Sequence, residues 1–152
     1  MIEGVEIKEL VTHADERGFF REVVRGTEGI VAEGWAQISH SLMHTGVVKA
    51  WHVHPTQIDW WYVVAGDLKV ALYDGREGSP TRGELQEILL GDHYPARLLK
   101  IPSGVAHGCK AIGGPVHLVY LTSSTYDVKE EGRIPYDDAG IGYDWLAPSP
   151  IT

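Results

Sequence analysis

The chain has 152 residues, 43% of them hydrophobic and 22% charged, which suits one globular domain over 1–152 and excludes disordered, collagen-like and coiled-coil chains. Its 21 acids against 13 Lys and Arg give a net charge of −8, a field that repels nucleic-acid backbones and anionic lipid surfaces, so neither is expected as a partner. No apolar run approaches the roughly 20 residues of a membrane span.

Taken in chain order, the apolar pattern predicts strands at Val5–Val11, Gly18–Arg25, Ala36–Met43, Val47–Trp51 and Ile58–Val64. Further strands follow at Leu68–Tyr73, Leu85–Leu89, Leu98–Ile101 and Val116–Leu121. Each is a short run, either alternating or fully apolar, bounded by turn residues. Turns are expected at Gly66-Asp67, Asp74-Gly75, Gly78-Ser79-Pro80 and Gly113-Gly114-Pro115. No stretch of a dozen residues carries a 3.6-residue period. Short strands at close spacing make an all-β sandwich or barrel. The segment from Lys129 onward is rich in Gly and Pro and is expected to pack irregularly on the outside. MIEGVEIKEL carries acids where an export signal needs a basic start, and the single cysteine, Cys109, cannot form an internal disulfide. Both features lead us to expect a cytoplasmic protein.

Gly46–Gly66 reads GVVKAWHVHPTQIDWWYVVAG, and Lys100–Gly108 reads KIPSGVAHG. The spacing of Gly46, His52, His54, Asp59 and Gly66, with Pro102, Gly104 and His107 downstream, resembles the two motifs of the cupin superfamily. That resemblance implies a cupin-type double-stranded β-helix, a jelly-roll barrel. Asp59 stands where cupins usually carry Glu. Residues i and i+2 of a strand share a face, so His52 and His54 project into one space. With Asp59 and His107 they make a set suited to a divalent transition metal, Fe, Mn, Ni or Zn. The same polar residues could instead line a barrel that binds an organic ligand with no metal and no cofactor.

A second resemblance is narrower. DERGFF (Asp15–Phe20), Glu22, AQISHS (Ala36–Ser41), VVKAWH (Val47–His52), IPSGVAHG (Ile101–Gly108), VYLTSSTY (Val119–Tyr126) and DDAGIGYDW (Asp137–Trp145) occur in this order. Together they resemble the dTDP-4-dehydrorhamnose 3,5-epimerase family, itself a cupin family. The resemblance implies an epimerase or isomerase acting on a nucleotide-linked 4-keto-6-deoxy sugar for polysaccharide synthesis. It implies His52 as the base next to the ketone, Tyr120 as the acid on the other face, and Tyr126 as a second site tyrosine. It assigns Arg17, Gln37 and Lys49 to the nucleotide diphosphate, with Lys49 in place of an arginine. His107 matches the family's conserved histidine. Glu22 matches an acid that contacts the nucleotide from the partner subunit, so a homodimer is expected. The chemistry is coherent on its own: histidine is the natural base near neutral pH, and a diphosphate needs cations such as Arg17 and Lys49.

Two departures stand against the match. Asp59 occupies the place of the family's enolate-stabilising lysine, and a carboxylate there repels a developing oxyanion. The family's aspartate beyond Trp145, which orients the base, has no counterpart in LAPSPIT. Asp59 could instead orient His52, or join a metal that polarises the ketone. His52-Val53-His54 is also similar to the His-x-His of dTDP-sugar 3,4-ketoisomerases. Two alternatives stay open: a metal-dependent cupin enzyme on another small substrate, and a non-catalytic sugar- or nucleotide-binding cupin. Trp51, Trp60, Trp61 and Cys109 are read as packing residues, and Lys129-Glu130-Glu131 as a solvated turn.

Overall fold

The computed structural model describes residues 1–148. Ten strands form, and no α-helix occurs among the described residues. They are β1 (Glu6–Glu9), β2 (Thr12–Asp15), β3 (Gly18–Arg21), β4 (Gln37–Met43) and β5 (Val48–Val53), then β6 (Asp59–Tyr73), β7 (Leu85–Gly91), β8 (Arg97–Ile101), β9 (Ala106–Thr122) and β10 (Gly132–Arg133). The main sheet runs β1-β8-β6-β9-β5-β10, with β4 added on β9 and β7 on β6. All pairings are antiparallel. The jelly-roll expectation holds in this arrangement.

Two strands are unusually long, β6 with 15 residues and β9 with 17. They pair along almost their whole length, from Asp59↔Thr122 to Tyr73↔Ala106. Their first and last thirds belong to different layers. Asp59–Trp61 also pair with β8, whereas Asp67–Tyr73 pair with β7. At the corner between layers the register slips three times, between Val63 and Leu68. The predicted turns at Gly66-Asp67 and Gly113-Gly114-Pro115 are therefore bulges inside continuous strands. Gly and Pro mark a break in regular pairing, and a bulge breaks pairing as a turn does. Gly66 has φ +81, and a Cβ there would lie 2.5 Å from the Pro115 carbonyl oxygen. Only glycine fits that corner.

The predicted strand Val5–Val11 is shorter, and Thr12–Asp15 forms a separate hairpin with Gly18–Arg21. Gly18–Arg25 accordingly ends early, at Arg21. The barrel interior is filled by Leu68, Val70 and Leu72 of β6 against Leu90, Leu99, Ile101, Val105 and Val116. Trp60 and Leu121 face the other way and are covered by Val31 and Leu98. The C-terminal segment contributes to the core, contrary to expectation. Trp145 is buried against Trp51, Ala71 and Ala106, and Gly132–Arg133 adds a short strand to β5. An exposed indole on that surface would leave Trp51 wet, and truncating such a core tryptophan to Ala costs about 3–5 kcal/mol.

One buried charge organises the β6–β7 connection. Asp74 has no exposed surface, and its carboxylate accepts bonds from Arg76 Nε (2.9 Å), Ser79 Oγ (2.6 Å) and Thr81 Oγ1 (2.6 Å). The Arg76 guanidinium and these donors hold its carboxyl well below the usual carboxylate range. The folded carboxyl is thus more acidic than the unfolded one. Its contribution is present above the unfolded value near 4 and is lost as pH falls below it. Asp74→Asn is expected to destabilise the protein by about 2–3 kcal/mol at pH 7. Urea denaturation at pH 7 and pH 3 checks this, because the gap between wild type and variant narrows at pH 3.

Candidate active site

A cavity of about 230 Å³ opens into the barrel between β4, β5, β6 and β9. Its walls include Gln37 and Ser41 from β4, and Lys49 and His52 from β5. His54, Asp59 and Trp61 lie deeper, facing His107, Leu118, Tyr120 and Thr122 of β9. Strict alternation along β5 cannot point both Lys49 and His52 inward, since they are three apart. A bulge resolves this: Lys49 opposes Cys109 and His52 opposes His107, so three steps on β5 match two on β9. Trp51, inside the bulge, turns outward to Trp145.

His52 is half-buried and lies opposite Arg133 of β10. Burial first, and then the Arg133 charge, disfavour its imidazolium and lower its pKa. At neutral pH it is therefore a neutral imidazole, the form a base requires. Lys49 Nζ donates to Ser41 Oγ at 2.8 Å. Gln37 Oε1 accepts from the Tyr126 backbone N–H at 2.9 Å, which places exposed Tyr126 on the rim. Tyr120 stands beside Trp61 across the β6–β9 ladder and is partly buried against the core.

The deep end is a cluster of polar groups. Asp59 accepts from Gln57 Nε2 at 2.8 Å and from Trp61 Nε1 at 3.1 Å. Its Oδ2 lies 3.8 Å from His54 Nε2. The expectation that Asp59 orients His52 is corrected here, because the carboxylate is committed to Gln57 and Trp61 and leans toward His54. His107 is fully buried; burial holds its imidazole neutral, and its Nδ1 lies 3.0 Å from the Val105 carbonyl. Its ring meets His54 at 5.1 Å, His52 at 6.2 Å and Trp61 at 5.4 Å between centroids. The atoms of His54, Asp59 and His107 that could hold an ion all lie within 4.8 Å of one another. His52, expected as a fourth member, is not part of that group.

The IPSG and AHG segments have local reasons. Gly104 has φ +76 in the turn entering β9, and its N–H donates to the His54 carbonyl at 2.8 Å. Gly108 is pressed by Ala50 and the Trp145 ring, with 2.6 Å between an added Cβ and Trp145 Cζ2. Cys109 is buried, and burial pushes its thiol up to about 12, so it is not a nucleophile.

Arg17 and Glu22 are not brought to the cavity. Arg17 sits at the tip of the β2–β3 hairpin, where its guanidinium pairs with Asp15 at 2.5 Å. Glu22 pairs with Arg25 at 2.7 Å. The hairpin carries Phe19 and Phe20 outward, 62% and 65% exposed. Lys129-Glu130-Glu131, expected as a solvated turn, instead fastens the cavity mouth. The Glu130 carboxylate accepts from Thr56 N, Thr56 Oγ1 and Gln57 N, and its carbonyl lies 2.6 Å from His54 Nδ1. Glu131 lines the cavity. Sequence reasoning missed Trp61 as a site residue, although Asp59 and Trp61, two apart on one strand, share a face. Nothing in the local pattern marks Glu130. The end of the LAPSPIT tail, 149–152, lies outside the described residues.

The family model for dTDP-4-dehydrorhamnose 3,5-epimerase matches residues 1–152. The chain is 45% identical over 148 residues to the spore coat polysaccharide biosynthesis protein SpsL of Bacillus subtilis, covering 95% of this chain and 97% of that one. A dTDP sugar isomerase structure from Desulfovibrio desulfuricans superposes with a TM-score of 0.89 at 32% identity, covering 97% and 94% of the two chains. The 3,5-epimerase of Legionella pneumophila, solved with dTDP-4-keto-L-rhamnose, gives a TM-score of 0.86 at 28% identity, covering 99% and 83%. The full-length match and the shared barrel place this chain in the dTDP-4-dehydrorhamnose 3,5-epimerase family.

Proposed function

We propose that this protein epimerises a 4-keto-6-deoxy sugar carried on dTDP, with His52 as base and Tyr120 as acid. The observation that carries the reading is a neutral, half-buried imidazole and a tyrosine reaching one cavity from different strands. Family membership supports the substrate class, as does the ligand of the Legionella structure. In this reading His52 takes the proton from a carbon next to the C4 ketone. The C–H electron pair moves into the new C=C bond, and the carbonyl oxygen becomes an enolate. Tyr120 then delivers its hydroxyl proton to the opposite face, and the ketone reforms with the carbon inverted. Lys49 supplies a cation for the diphosphate, Gln37 and Tyr126 frame the nucleotide end, and His107 supports the wall behind His52. The reaction belongs in the cytoplasm, where sugar nucleotides serve polysaccharide assembly.

The reading also assigns a homodimer. Arg17 at the hairpin tip and Glu22 just after β3 lie away from their own cavity, so they serve the cavity of a second copy. Phe19 and Phe20 on that hairpin, and Ile38 and Leu42 on the outer face of β4, are the apolar surface a partner would cover. Sedimentation velocity is expected to show a dimer, with the Phe19→Ser/Phe20→Ser double variant shifted to monomer and weakened in dTDP binding. A monomeric wild type would remove Arg17 and Glu22 from the site.

His52→Asn is expected to retain the wild-type melting temperature and dTDP affinity while losing about 10²–10⁴-fold in turnover of dTDP-4-keto-6-deoxyglucose. Tyr120→Phe should also lose inversion. Turnover that survives in His52→Asn overturns the assignment of the base.

A further inference from the structure

We propose that the floor of the cavity binds one divalent transition-metal ion through His54 Nε2, His107 Nε2 and an Asp59 carboxylate oxygen, leaving His52 free. Three observations converge on this trio. The first is proximity: the three ligating atoms lie within 4.8 Å of one another, on three buried residues. Bonds of about 2.0–2.2 Å place the ligands of a tetrahedral ion about 3.3–3.6 Å apart. The His54–Asp59 pair, at 3.8 Å, is already near that spacing, and the widest pair closes by a side-chain shift of about 1 Å.

The second is tautomer. A backbone carbonyl only accepts hydrogen bonds. The Nδ1 atoms of His54 and His107 face the carbonyls of Glu130 and Val105 at 2.6 and 3.0 Å. Each Nδ1 therefore carries the proton and donates it, and a neutral ring presents its Nε2 lone pair to the cavity. This is the outer bonding that orients histidine ligands toward a metal. His52 has no such anchor among the described residues.

The third is charge. Asp59 is 4% exposed and accepts from two neutral donors, Gln57 and Trp61. Among the described residues it pairs with no Lys or Arg, and His54 at 3.8 Å is its only ionisable neighbour in the salt-bridge range. A buried carboxylate without a full positive partner is costly. A divalent cation between Asp59 and the two imidazoles neutralises it. Two imidazoles and one carboxylate suit Zn, Co, Ni, Mn or Fe and leave open positions toward the cavity. Binding of the ion stands without the epimerase reading. Its role, a Lewis acid at the ketone oxygen where the family's lysine is replaced by Asp59, rests on that reading.

The test is titration of the whole, chelator-stripped protein with Co²⁺, read by its visible absorption and by calorimetry, with Zn²⁺ as competitor. One equivalent is expected, with a nitrogen- and oxygen-ligated Co²⁺ spectrum that Zn²⁺ displaces. His54→Gln, His107→Gln and the near-isosteric Asp59→Asn should each weaken binding by tenfold or more, whereas His52→Ala should hold it within about twofold. Where a ligand variant fails to fold by circular dichroism, wild-type stoichiometry and the His52→Ala arm decide. No binding by wild type, or equal loss in His52→Ala and His54→Gln, overturns the proposal. Stoichiometric binding without any action on the keto-sugar sinks the epimerase reading and leaves the metal site standing. Full turnover in protein that binds no ion does the reverse.

Discussion

The ladder between β6 and β9 is the constraint on which the cavity depends. Its thirteen registered pairs carry Asp59, Trp61, Tyr120 and Thr122 at one end and His107 toward the other. Because both strands pass through both layers, residues far apart in sequence face one space. The bend at Gly66 and Gly113–Pro115 makes this possible, and Gly66 tolerates no side chain there. A flat pair of the same length would carry His107 away from Tyr120. The other two walls then need only local adjustments. The β5 bulge turns Lys49 and His52 inward together, and β4 closes the side by pairing along the last part of β9.

Within that frame, three histidines separate by environment. His107 is enclosed and neutral, with one nitrogen spent on Val105. His54 is tied to the Glu130 carbonyl and leans on Asp59. His52 is half open, lies opposite Arg133 and keeps its basic form at neutral pH. The tethered pair is built to stay still, and the less restrained ring is the one placed to take a proton. Asp59 belongs to the tethered group. Its carboxylate repels a developing enolate if it stands alone. A cation shared with His54 and His107 reverses the sign of that field, which is why the replacement of lysine by Asp59 and the presence of His54 make physical sense together.

Much of this was legible in the sequence. Short apolar runs marked β4 and β8 to within a residue, since alternation and turn residues report directly on a half-buried strand. Period-two spacing puts His52 and His54 of the His-x-His step on one face, whereas Asp59 and His107 came from the resemblance to the cupin motifs. Other features were not legible, for identifiable reasons. Gly66 and Gly113–Pro115 read as turns because local punctuation does not say whether the chain reverses or only kinks. Lys49 was assigned to the ligand by resemblance, yet the bulge that aims it is invisible to alternation. Trp145 and Glu130 looked peripheral because their partners, Trp51 and Thr56, come from distant parts of the chain. Arg17 is absent from the cavity of its own chain, and the local pattern does not say which copy it serves; only the resemblance placed Glu22 in the partner subunit.

The central claim is that this cavity removes a proton next to a ketone. Incubating the enzyme with dTDP-4-keto-6-deoxyglucose in D₂O, and following the sugar by proton NMR and mass spectrometry, measures that step directly. The account predicts deuterium entering at C3, C5 or both, faster than in enzyme-free buffer. A sugar nucleotide that binds and saturates the protein, yet gains no deuterium at either carbon, would contradict it.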